Sequence, residues 1–110
     1  MERISTEEMS GGRHLVYVAY FEVSEDDISE KWGKAERFED EWDLGPRRIF
    51  CWRLSTGSYV SLNRVEREEV PGFGFYVRTD TQDPHLMNSL LQEFIKESHL
   101  PENLISEKMF

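Results

Sequence analysis

Apolar residues recur with two different periods along the chain, and the places where the period changes mark out its elements. Over 14–23, HLVYVAYFEV, Leu15, Tyr17, Ala19 and Phe21 alternate with Val16, Val18 and Tyr20. Both faces are then apolar, the pattern of an interior strand covered on both sides. From Ser24 the spacing lengthens: Ile28, Trp32, Ala35, Phe38 and Trp42 follow at steps of three and four, which predicts a helix over 24–43. Ser24 is its expected N-cap, Glu25, Asp26 and Asp27 sit where carboxylates favour the positive helix end, and Gly45-Pro46 closes it.

The alternation returns between Arg47 and Arg78 as three short strands. A three-residue loop, Ser55-Thr56-Gly57, with Gly57 in the left-handed region, sets Trp52 opposite Val60 and Phe50 opposite Leu62 on one apolar face. The other face then pairs Arg53 with Tyr59, Cys51 with Ser61 and Ile49 with Asn63, a set that tolerates water. A two-residue loop would mix apolar and polar residues on both faces, which a half-buried sheet disfavours. Past Pro71-Gly72, Phe73, Phe75 and Val77 extend the apolar face, with Gly74, Tyr76 and Arg78 on the other.

Asp83-Pro84 reads as a cap followed by proline at the first helical position, and Leu86, Met87, Leu90, Leu91, Phe94 and Ile95 define a core helix over 84–100 that Pro101 ends. The tail, 102–110, is too short to choose between a helical turn and an edge strand, and residues 1–12 read as a flexible arm before a single domain over 13–110. The expected fold is α+β: a mainly antiparallel four-stranded sheet in β-α-β-β-β-α order, with helix 84–100 on its apolar face.

Charge divides the chain. The segment 47–78 carries six arginines against three glutamates, whereas 24–43 holds nine acidic and three basic residues and the whole chain sums to −9. Such a balance argues against direct nucleic-acid binding, which rests on clustered Lys and Arg neutralising phosphates. At 110 residues the chain is long enough for one core without staples, and its single Cys51 has no partner in the chain. The polar start carries no apolar leader, and no apolar run approaches the ~18 residues of a membrane span, so a cytoplasmic protein is expected.

Little of this points to catalysis. His14, His85 and His99 have no metal-ligand spacing, and one cysteine makes no half-site, so neither metal nor cofactor is expected. Gly72-Phe73-Gly74 precedes a strand, not a helix that would hold phosphate. No serine lies in a nucleophile elbow, and Cys51, between Phe50 and Trp52, reads as a buried thiol. Two binding surfaces remain as expectations. Glu36, Asp40 and Asp43, at helical spacing, with Trp42 as an aromatic anchor, fit engagement of a basic protein partner. A small acidic domain without catalytic motifs suits an inhibitor that neutralises a cationic nuclease or toxin, as bacterial immunity proteins do, its charge accelerating association. Alternatively Arg53, Tyr59, Tyr76 and Arg78 interleave cations with aromatics on one sheet face and suit an anionic small ligand or peptide. An enzyme of unrecognised type is the third possibility.

Overall fold

The computed structural model describes residues 1–10, 15–39, 45–68 and 71–110. In chain order the elements are β1 (Glu2–Ile4), α1 (Thr6–Ser10), β2 (Leu15–Phe21), α2 (Glu25–Trp32), β3 (Glu36–Phe38), β4 (Arg47–Arg53), β5 (Tyr59–Val65), β6 (Phe73–Arg78), α3 (Pro84–Ser98) and β7 (Ile105–Lys108). The strands form one antiparallel seven-stranded sheet in the order β1-β4-β5-β6-β2-β7, with β3 also pairing β4. The four strands legible in the sequence are its centre. The expected four-stranded sheet is corrected by the short strands at its margins: β1 and β3 lie along different lengths of β4, and β7 lines β2.

The β4–β5 hairpin has the register that its alternation demands, Phe50 opposite Leu62, Trp52 opposite Val60 and Arg53 opposite Tyr59. Its loop is closed by Leu54 N–H donating to the Ser58 carbonyl at 2.8 Å, and Gly57 turns at φ +96°. Phe50, Trp52, Val60, Leu62, Phe73, Phe75 and Val77 make a fully buried face. Against it α3 packs Met87, Leu90, Leu91 and Phe94, the Phe94 ring stacked on Phe75 at 4.6 Å between centroids. Leu86, expected in this core, is 37% exposed, and Met87 takes the inward position. The Asp83 side chain caps α3 by accepting from His85 N–H, and His99 ends it in the left-handed region.

Helix α2 stops well short of the predicted 24–43. Ser24 caps its start as expected, accepting from Asp27 N–H at 3.1 Å, but Gly33 takes φ +88° and breaks the helix after Trp32. Arg3 fills the vacated end, donating to the carbonyls of Trp32 and Lys34 at 2.8 Å while its guanidinium lies 5.0 Å from the Phe50 ring centre. The stripe from Ile28 to Phe38 is therefore not one helix face: Ile28 is core, Trp32 meets Trp52 edge-on, and Phe38 is exposed on β3. The segment expected as a flexible arm is built into the domain through β1 and α1, its residues Ile4 and Met9 covering Ile49 and Cys51 in a second small core. Half of the sheet face expected to be wet is thereby closed, and Ser61 on it is buried too.

Strand β2 holds an irregularity that decides the rest. Its pairing with β6 shifts between Tyr17 and Ala19, so that Tyr17 faces Tyr76 but Ala19 faces Phe75 and Tyr20 faces Gly74. The extra residue is Val18, buried at 1% exposure. A bulge of this kind moves everything after it to the opposite face. Val16, Ala19 and Phe21 thus join the core side, and Tyr17 and Tyr20 share the side away from it. Among the described residues no helix is long and apolar enough to cross a membrane.

Candidate functional site

The part of the sheet that α1 leaves open is where β2, β5, β6 and β7 come together. Tyr17, Tyr20 and Tyr76 stand on it, with the Tyr17 and Tyr76 rings 5.4 Å apart and tilted at 49°. Gly74 makes room for them, since a Cβ there would come within 2.9 Å of Tyr76 Cε2 and 3.3 Å of Tyr17 Cε1. Two concavities adjoin on this surface and share Tyr17, Tyr20 and Glu68. One, of about 200 Å³, carries Arg47, Asn63 and Arg64. The other, of about 440 Å³, carries Glu22, Ser106 and Glu107.

Hydrogen bonds fix the two phenols. Tyr17 donates to Glu107 Oε1 at 3.1 Å and Tyr20 to the Pro71 carbonyl at 3.2 Å. Partial burial, then the bond to Glu107, pushes the Tyr17 phenol up to about 12. Burial followed by the charge of Glu68 raises Tyr20 as well. Both rings are therefore neutral at physiological pH, with electron-rich faces available to a cation. The arginines are partly engaged: Arg64 donates to the Glu68 carbonyl at 3.0 Å, and Arg47 reaches Asn63 Oδ1 at 3.4 Å.

The Arg53, Tyr59, Tyr76 and Arg78 face is divided by the N-terminal segment. Arg53 is paired with Glu2 on β1 at 2.5 Å. Arg78 lies 3.9 Å from the centre of the Tyr59 ring and donates to the Glu8 carbonyl at 2.8 Å, which ties it to α1. Only Tyr76 belongs to the open surface.

The acidic surface is also rearranged. Glu36 sits on β3, half-buried, and its carboxylate accepts from Thr6 N–H at 3.0 and 3.1 Å, so it serves the α1 junction. Asp40, Trp42 and Asp43 lie outside the described residues, as does His14. On α2, Asp26, Asp27 and Glu30 are exposed, whereas Glu25 is bound to Arg48 through two bonds of 2.8 Å. Those bonds hold the Glu25 carboxyl below its usual range.

Cys51 is buried, which pushes its thiol up to about 12 and leaves no thiolate at neutral pH. Among the described residues no three His, Cys, Asp or Glu side chains come together as a metal site. Gly72 is a turn residue at φ +125°, as its position before a strand implies. Sequence reasoning missed Tyr17, Tyr20, Glu22 and Glu107 because uninterrupted alternation places the two tyrosines on opposite faces. The three-residue step between them is the one trace of the bulge. Comparison with known protein families, with curated proteins and with solved structures returned no match.

Proposed function

We propose that the protein is a binding protein rather than an enzyme, and that it acts by engaging and neutralising a basic protein partner, in the manner of an immunity protein against a cationic toxin or nuclease. The observation that carries this reading is the outward display of Asp26, Asp27 and Glu30 on α2, none of which has an ion pair among the described residues, on a chain of net charge −9. Exposed carboxylates left unpaired contribute little to folding and much to the field felt by an approaching cation. Glu36 is taken up by the Thr6 backbone, so α2 leads the acidic surface. Asp40, Asp43 and Trp42 extend this proposal along the chain.

The test is capture of partners from the parent lysate on immobilised protein at low and at high salt. The expected partner is basic, is released by salt, and associates about tenfold more slowly with a variant carrying Asp26→Lys and Glu30→Lys. A captured protein indifferent to both salt and charge reversal refutes the reading. The depression with Arg47, Asn63, Arg64 and Tyr76 supports a second reading, a site for an anionic small ligand or acidic peptide.

A further inference from the structure

We infer that the cleft between β2 and β7 is the docking point for a single lysine or arginine side chain of the partner. This deepens the basic-partner reading and rests on it. Two aromatic walls, Tyr17 and Tyr20, stand beside three carboxylates, Glu22, Glu68 and Glu107, and the hydroxyl of Ser106 completes the lining. Each part has a use for an extended cationic side chain. The tyrosine faces attract the charged head and cover the apolar stem, and the carboxylates accept its hydrogen bonds.

The carboxylates are placed and available. Tyr17 holds Glu107 from below with one bond, leaving its other oxygen as an acceptor. Glu22 and Glu68 are exposed, and neither carboxylate has an ion pair among the described residues. Glu22, Glu68 and Glu107 line one concavity with the two tyrosines, so a cation entering it meets all three carboxylates. The cleft is also roomier than its neighbour, about 440 Å³ against about 200 Å³.

Arg47 and Arg64 in the adjoining depression set the specificity. They repel a second positive charge arriving next to the first, so the surface selects an isolated cation over a basic run. Aromatic anchors on a partly wet sheet face are also the residue type that dominates binding energy in protein interfaces.

The experiment is a titration of ¹⁵N-labelled protein with blocked glycine-serine hexapeptides that carry one arginine, one glutamate or three consecutive arginines. The single-arginine peptide is expected to shift the amides of Tyr17, Tyr20, Glu22, Ser106 and Glu107. Its affinity falls roughly three- to tenfold in a Glu22→Gln, Glu107→Gln variant, whose changes are both on exposed side chains. The triple-arginine peptide gains less than its charge alone would give. If the single-arginine peptide shifts the α2 amides from Asp26 to Glu30 instead, this site is overturned while the basic-partner reading stands. If only the glutamate peptide binds, through Arg47 and Arg64, both are overturned in favour of an anion site. Silence from all three peptides overturns the cleft.

Discussion

Replacing Gly72 by alanine tests how tightly the β2–β6 end of the sheet is closed. A Cβ at this position would lie 2.5 Å from the Phe21 carbonyl oxygen and 2.6 Å from Tyr20 Cε1. The first neighbour is backbone of a paired strand and has nowhere to go. The residue also sits at φ +125°, a region that costs an alanine on the order of 1–3 kcal/mol. Overpacking against a fixed atom adds about 1–3 kcal/mol, so a loss of roughly 2–6 kcal/mol is expected. For a domain near this size that corresponds to a fall in Tm of roughly 10–30 °C. Gly57→Ala is the matched control, because Gly57 has φ +96° but nothing within 4 Å of its Cβ, so it carries backbone strain alone. Urea unfolding followed by tryptophan fluorescence, with both variants fitted at a common slope, gives the two stabilities. A Gly72→Ala midpoint no lower than that of Gly57→Ala would mean that the close approach to Phe21 is not real, and the steric part of the reasoning fails.

Cys51, buried under Ile4 and Met9 with its thiol pushed up to about 12, should react with a thiol reagent at pH 8 only as fast as the β1–α1 segment opens; reaction at the rate of a free thiol refutes this burial. Against the cost of its own burial, Glu97 is drawn down to about 2 by hydrogen bonds from Ser55 and by the α-amino group of Met1. Its folded value lies below its unfolded one, so the stability it supplies is complete above the ordinary carboxylate range of about 4.3 and is lost as pH falls through about 2. Wild type and Glu97→Gln should therefore differ in unfolding midpoint at pH 7 and converge at the acid limit; a gap independent of pH would assign the effect to packing.

The parts of the fold that could be read in the chain are those in which many residues agree. Phe50, Trp52, Val60 and Leu62 select one hairpin register among two, and α3 carries its apolar face over four turns with a cap at each end. What could not be read is short or irregular. The strands β1, β3 and β7 have only three or four residues, too few to express a period, and they form through backbone bonds that any sequence can make. Gly33 is a helix end whose apolar neighbours continue at helical spacing by coincidence, so the stripe concealed the stop. The candidate cleft depends on a single inserted residue, Val18, and on long-range pairing of Tyr20 with Glu107 across β7. Neither leaves a local mark. On the Arg/Tyr face the residue types were visible, but what engages Arg53 and Arg78 was not, because their partners are Glu2 and α1 at the far end of the sequence.

The order of the sheet has a bearing on how the chain is made. Strand β2 is translated early, yet its neighbours are β6 and β7, and Phe21 pairs with Phe73 and Ile105. At ~5–20 residues per second, β2 waits roughly 3–10 s after leaving the ribosome before β6 is available. Throughout that interval the core-side residues Ala19 and Phe21 have no partner strand beside them. The β4–β5 hairpin emerges in between and can close on its own loop, offering the first template. The same connection that gives the finished sheet an interior β2 thus leaves that strand without either neighbour until β6 has been made.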